Sequence, residues 1–380
     1  MVATYTLGHV RVLKDERMLE EQMVSVVDGL IQEIRPHRAG LGADIDGAGK
    51  LCLPGIVDLH SDALAREYRP RPGACMPVDL AMQAAEGNLM AAGVTTAFHA
   101  VSFQTKSAVG IPIGSPQAPD VHHAISNYEE PRMDHRVLHR LDVRCPDGVH
   151  MLRDHLGGAE VPLVSYEDHT PGQGQYRDRA VMERWLREAQ HMDPTQAAEH
   201  VDRLIAERDQ QLTFKQQTLG WLAELAATGT IRLMGHDPVT PQEIDELIAR
   251  HAVIAEFPTT LEAAQRAHLK GVSTVAGAPN VLLGGSHSGN VSALELAQAG
   301  VLNILASDYL PSSLLSAAFE LARLGYATLS EAINMITKNP AVAAGLNDRG
   351  ILAPGYRADL VLCSDTLSRP RVLQTLTAAR

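Results

Sequence analysis

The stretch LPGIVDLHSD, residues 53–62, decides how this chain is read. Its central run GIVDLH reads as an apolar strand that ends at His60. Side chains alternate along a strand, so His60 and Asp62, two apart, share one face. Val57 and Leu59 are then expected on the opposite face, against covering helices. Seven further segments follow the same plan, ending near Ala100, Cys145, His169, Glu256, Pro279, His236 and Asp308. In LVSYEDH, Glu167 and His169 share the inward parity, while Val164, Tyr166 and Asp168 fall on the outer one.

Helical signals separate these strands. Thr240-Pro241-Gln242-Glu243 reads as a capping box with proline at the first helical position. Thr328 and Glu331 cap another helix, and Asn339-Pro340 opens a third. Residues 176–226 read as a long helical insertion after the fourth strand. Alternating strands and helices argue for a parallel sheet, and eight strands argue for its closure. The expected fold is therefore α/β, a (β/α)8 TIM-like barrel over residues 54–349. VSVVDGLIQEI carries Asp28-Gly29 between alternating apolar residues, a hairpin signal. ADLVLCS, residues 358–364, is a second β-like piece. Residues 1–53 and 350–380 are accordingly expected to form one small β-sandwich from both chain ends.

A length of 380 residues accommodates such a barrel with a small accessory domain. The net charge is 33 − 45 = −12, which argues against a nucleic-acid surface. A compact anionic ligand is still compatible, because a few local arginines outweigh the global charge. No apolar run reaches the length of a membrane span, and MVATYTLGHVRVLKDE does not read as a signal peptide. Cys52, Cys75, Cys145 and Cys363 lack metal-site spacing, which suggests a reduced cytoplasmic protein. A homo-oligomer is left open.

In parallel barrels the active site lies at the carboxyl ends of the strands. There the sequence gathers His60, Asp62, Glu167, His169, His236 and Asp308. Imidazoles and carboxylates converging on one mouth suit a divalent metal, zinc first, with manganese or iron as alternatives and one or two ions. Such a metal generates a hydroxide nucleophile, and Asp308 is placed to accept a proton as general base. Taken alone, a strand-end histidine is more often a satisfied polar residue, and only the joint pattern favours ligation. His99, His139 and His251 are read as structural, and His122-His123 as a solvated helix start. GAPNVLLGGSHSGN, residues 277–290, places Gly284, Gly285, Ser286 and His287 where a phosphate could be cradled, with His287 as contact or acid. An ordinary flexible loop is nearly as good a reading of those glycines. Arg66, Arg69 and Arg71 in REYRPRPG suit an anionic substrate, the plainer reading being a solvated loop stiffened by prolines.

Together these segments resemble the amidohydrolase superfamily. LPGIVDLHSD resembles its opening metal motif, and NPAVAAGLNDRGILAPGYRADLVL, residues 339–362, its closing stretch. More narrowly, YRPRPG, DHTPGQ, GHD, VIAEFPTT, GAPNVLLGGSHSGN, ASDYLPSSLL and ITKNPA resemble the phosphonate-metabolism protein M family of the carbon–phosphorus lyase pathway. That resemblance implies attack of a metal-activated water on a ribose alkylphosphonate 5-triphosphate, with release of pyrophosphate. It implies His60, Asp62, His169, His236 and Asp308 at the metal site, with Asp168 and Asp237 as weaker candidates. The chain departs from the family pattern in three places. Pro146 stands where a glutamate usually follows the third strand, Gly174 where arginine usually follows PGQ, and Leu283 where arginine usually precedes the glycine pair. Glu167 is expected to replace the missing carboxylate or, on the plainer reading, to pair with an arginine such as Arg177. Two rival functions remain: hydrolysis of an amide, lactone or cyclic imide at the same centre, and an inactive barrel serving as a binding or assembly subunit.

Overall fold

The computed structural model describes every residue except 1–3, 15, 39, 41, 72, 159, 286–288, 366–368 and 379–380. The chain begins with β1 (Tyr5–Lys14), β2 (Arg17–Val27), β3 (Leu30–Pro36) and β4 (Ile45–Pro54). Asp28 and Gly29, at φ 50° and 73°, make the expected tight turn between β2 and β3.

The barrel strands follow: β5 (Ile56–Ser61), β6 (Val94–Phe103), β7 (Asp134–Asp142), β8 (Leu163–Glu167), β9 (Arg232–His236), β10 (Ile254–Glu256), β11 (Ser273–Gly277) and β12 (Ile304–Ala306). They pair in sequence order as one eight-stranded sheet. β12 then returns to the end of β5: Asp62 N–H donates to Asp308 O at 2.7 Å, and Asp308 N–H to His60 O at 3.0 Å. The closed parallel barrel is therefore as the sequence implied.

The chain re-enters the small sheet through β13 (Leu360–Ser364) and β14 (Arg371–Leu376), in the order β14-β13-β4-β1-β2-β3. The sheet curls until β3 meets the segment before β13. There Ile31 N–H donates to Tyr356 O and Ala358 N–H to Gly29 O, both at 2.8 Å. The two halves enclose Leu7, Val10, Val24, Ile31, Leu360 and Leu362, which supplies the sandwich-like core.

One expectation about β5 fails. Val57 and Leu59 do not join the cores of the outer helices; they cluster with Phe98, Leu138, Leu163, Met234, Ile254 and Ile304 inside the barrel, with Ala341 and Ala343 packed against that cluster. Register slips between Ile56 and Val57 and again between Asp58 and Ser61 break the strict alternation. Leu59 and His60 can then both serve the interior, one in its apolar floor and one in its polar mouth.

The first helices are α1 (Ala63–Tyr68), α2 (Val78–Ala91), α3 (Ala118–Ser126) and α4 (Pro146–Arg153). His122 and His123 lie within α3 rather than at its start. The insertion resolves into three helices, α5 (Arg179–Ala189), α6 (Pro194–Asp209) and α7 (Leu212–Ala227). α5 and α6 share their own core of Met182, Leu186, Ala197 and Val201. Next come α8 (Pro241–Ala249), α9 (Leu261–Leu269) and α10 (Ala278–Leu283). Thr240 caps α8, its hydroxyl accepting from Glu243 N–H at 3.2 Å, but the Glu243 carboxylate accepts from Val239 N–H, so the expected capping box is half formed. The segment after β11 is helical up to Leu283, and Gly284, at φ 74°, ends α10 in the left-handed region. Ser286 and His287 lie outside the described residues. The last helices are α11 (Ala293–Gln298), α12 (Ser313–Arg323), α13 (Leu329–Asn334) and α14 (Lys338–Ala343), with Thr328 and Glu331 forming the capping box of α13. Among the described residues, no helix is long and apolar enough to cross a membrane.

Gly55 is the joint between the small sheet and the barrel. A Cβ there would lie 2.1 Å from Thr95 Oγ1 and 2.8 Å from Asp359 Cβ. Gly55→Ala should therefore destabilise the protein by about 1–3 kcal/mol through overpacking. A lowered midpoint of urea unfolding is expected; an unchanged midpoint would mean that the joint has room to spare.

Candidate metal centre

The site is built around a carboxylate that carries no solvent exposure. Glu256 ends β10 and is 0% exposed. One oxygen accepts from His60 Nδ1 at 2.7 Å and the other from His236 Nδ1 at 2.7 Å. Ser165 Oγ donates to that second oxygen at 2.5 Å. Burial alone would raise the Glu256 carboxyl, but the two imidazoles outweigh it and hold the group well below the usual carboxylate range. With both Nδ1 atoms committed to Glu256, Nε2 is the nitrogen that each ring would give a cation in place of a proton.

Those Nε2 atoms face more carboxylates. His60 Nε2 lies 3.7 Å from Asp62 Oδ1. His169 Nε2 and His236 Nε2 lie 3.5 and 3.6 Å from Asp237 Oδ2. That oxygen is buried without a hydrogen-bond partner. Burial pushes the His60 imidazole down, but Glu256 and Asp62 lift it to about 10, so the mouth favours positive charge there. An orphaned buried carboxylate oxygen beside two imidazoles is a place that a cation satisfies. Two groups have ligand atoms within 4.8 Å of one another: His60, Asp62 and Asp308, and Glu167, His169 and His236. Imidazole nitrogen with carboxylate oxygen is a donor set that fits a borderline divalent cation. Asp237 and Asp308 both sit at φ 54°, a backbone region non-glycine residues seldom adopt, just past β9 and β12.

Glu167 is paired with an arginine, as the plainer reading expected, though with a different one. Arg140 Nη2, from β7, donates to Glu167 Oε2 at 2.7 Å, so the arginine partner is Arg140 and not Arg177. Burial raises this carboxyl, yet Arg140 outweighs it and brings the pKa to about 2. The other oxygen lies 3.8 Å from His169 Nδ1. Pro146 is the first residue of α4, capped by Cys145, and offers no ligand. Asp168 points the other way: Arg144 Nε and Lys215 Nζ donate to its Oδ2 at 2.8 and 2.7 Å, and Arg208 Nη2 to its Oδ1 at 3.3 Å.

A cavity of about 320 Å³ opens on the centre, lined among others by His60, Asp62, Arg66, Arg140, His236, Asp237 and Asp308. The three arginines after the first strand therefore separate. Arg66 lines the cavity and lies 5.9 Å over the Tyr309 ring. Arg69 instead donates to Gly114 O and Pro116 O, and Arg71 sits on an exposed turn bridged to Ala74. Neither of these, nor Gly284 or Gly285, lines the cavity. His99 and His139 lie on the outer side of the barrel wall, His99 against His135 and His139 against Phe103. The sequence alone assigns no role to Glu256 or Arg140, which the structure places at the centre. The available signal for Glu256 was a lone carboxylate closing the apolar run VIAEF.

A closed parallel barrel with this mouth defines a hydrolase of the metal-dependent α/β-barrel class. The chain belongs to the amidohydrolase family: the sequence profile described as Amidohydrolase family matches residues 165–376. It is 37% identical over 358 residues to the alpha-D-ribose 1-methylphosphonate 5-triphosphate diphosphatase of Escherichia coli (strain K12), covering 91% of this chain and 92% of that protein. Its fold is similar to that of N-acetylglucosamine-6-phosphate deacetylase from Pasteurella multocida, with a TM-score of 0.63, 10% identity and 99% of each chain covered. Molinate hydrolase gives a TM-score of 0.61 at 13% identity, covering 100% of this chain and 94% of the other.

Glu256→Gln keeps the side chain's shape but replaces one accepting oxygen with a donor. Divalent-metal affinity should fall about 10–100-fold, as for other groups that orient metal-bound histidines. Competition with a chromogenic chelator reads this directly, and unchanged affinity would remove Glu256 from the site's architecture.

Proposed function

We propose that the chain hydrolyses a ribose alkylphosphonate 5-triphosphate and releases pyrophosphate, using a divalent metal held in the barrel mouth. The observation that carries this reading is the lining of one cavity by two arginines, Arg66 and Arg140, beside the histidine and carboxylate clusters. A polyanion finds guanidinium partners there, whereas a neutral amide or lactone leaves Arg66 without a task. The similarity to the Escherichia coli diphosphatase supports the same substrate class.

His60, Asp62, His169, His236 and Asp308 would hold the metal, with Glu167 and Asp237 alongside. Zinc suits these donors best, manganese or iron less well, and two ligand groups accommodate one or two ions. When bound, the metal makes water acidic enough to serve as nucleophile near neutral pH. Asp308 accepts the proton of the attacking water, held in place by its backbone bond to the end of β5. Arg66 binds the phosphate chain at the rim, and Arg140, steadied by Glu167, neutralises charge deeper in the cavity. His287 remains the sequence-based choice for the acid that protonates the leaving group. Cys52, Cys75, Cys145 and Cys363 are all free thiols, which suits a reducing compartment, and we place the reaction in the cytoplasm.

Zinc-loaded protein should release pyrophosphate from the ribose alkylphosphonate triphosphate. Asp308→Asn should lower kcat by about 10²–10⁴-fold, the range for a lost general base. Arg66→Ala should act mainly on KM. Turnover of neutral amides or lactones without any pyrophosphate release would favour the rival enzyme. Failure of the purified protein to retain any divalent metal would favour a binding subunit.

A further inference from the structure

On the small sheet, in a part of the chain that the barrel chemistry does not use, three side chains converge from three segments. His9 lies in β1, Glu21 in β2 and His37 just past β3, and one ligand atom of each lies within 4.8 Å of the other two. The local backbone is bent to bring them there. β1 changes register around His9 against both neighbours, between Leu7 and Val10 relative to β2 and between Gly8 and Val10 relative to β4. Bulges of this kind re-aim a side chain. His9 and Glu21 sit at φ 51° and 48°, a region that non-glycine residues seldom adopt and glutamate less readily than histidine. The His37 backbone N–H donates to Glu21 O at 2.6 Å, tying the third segment to the second.

The side chains repeat the logic of the barrel centre. Asp46, on β4, is paired with His9 Nδ1 at 3.1 Å, which leaves His9 Nε2 with its lone pair outward. His37 Nε2 is buried and has no hydrogen-bond partner. A Cβ on Gly8 would lie 3.0 Å from that nitrogen, so glycine makes the space in which the ring rests. The two rings stand edge to face with centroids 4.1 Å apart. A buried imidazole nitrogen without a partner calls for one, and the adjacent groups are an imidazole and a carboxylate.

We propose that His9, Glu21 and His37 form a second, structural site for one zinc-class cation, with Asp46 as the carboxylate behind His9. Two imidazoles and one carboxylate leave a fourth position for water, the ligand count of open two-histidine, one-glutamate zinc centres rather than of closed structural ones. Magnesium and calcium prefer all-oxygen shells and are not expected to bind here. A cation at this place fastens β1, β2 and the end of β3, and so stiffens the sheet from which β4 leads into the barrel.

The test uses full-length protein in which the barrel centre is disabled by His60→Ala and His236→Ala. Zinc stoichiometry by equilibrium dialysis and melting temperature with and without zinc are measured together, since a ligand of the native state raises the latter. This protein should retain one zinc equivalent and melt higher with zinc, but not with magnesium. Adding His37→Gln should weaken that zinc binding by about tenfold or more and abolish the thermal shift. In the otherwise wild-type chain, His37→Gln should remove one zinc equivalent and leave triphosphate hydrolysis unchanged. Equal zinc content with and without His37→Gln would overturn the proposal, and so would an equal thermal shift from magnesium.

Discussion

The centre depends on one buried carboxylate shared by two imidazoles. Glu256 reaches across the barrel to hold Nδ1 of His60 and of His236, at the ends of β5 and β9. An ionised carboxylate in an apolar barrel is costly unless both its oxygens are well hydrogen-bonded. Two imidazoles and the Ser165 hydroxyl supply those bonds. The same contacts orient both rings, so under the proposed function the fold holds two Nε2 atoms ready for a metal. β10 is only three residues long, and Glu256 is the last of them.

Charge around the mouth is divided between an inner and an outer set. Outside, Asp142 and Asp168 are matched by Arg144, Arg208 and Lys215, so those anions are neutralised by the protein itself. Arg208 lies on α6 and Lys215 on α7. The helical insertion therefore supplies the cations that clamp the segment after β8. Inside, Arg140 grips Glu167 from β7. His169 is thus positioned from both sides, while Asp237 Oδ2 next to it is left for a cation to satisfy. The outer anions are thus matched by arginine and lysine, and inside only Glu256 is matched by imidazole, Glu167 having its own arginine.

Much of this was legible in the sequence, because strand ends and hydrophobic periodicity are local properties. The eight strand ends, the Asp28-Gly29 turn and the Thr240 and Thr328 caps all follow from short-range rules. What the sequence misplaced depended on long-range geometry. Val57 and Leu59 moved to the inner face because of register slips in pairing with β6, which no pattern within β5 signals. Arg69 and Arg71 left the mouth because the chain turns away after α1, where Arg69 finds carbonyls near residue 115. The glycine-rich stretch after β11 hid a helix, since Ala278–Leu283 contains no strong breaker after its opening proline. Glu256 went unassigned because its partners lie 196 and 20 residues away, and only closure of the barrel brings them together.

The most direct measurement is a crystal structure of the zinc-loaded protein. Nε2 of His60 and Nε2 of His236 are expected at about 2.0–2.1 Å from an ion, with both Nδ1 atoms still hydrogen-bonded to Glu256. Coordination through Nδ1, or the Glu256 carboxylate bound to the ion itself, would contradict the role given to this residue.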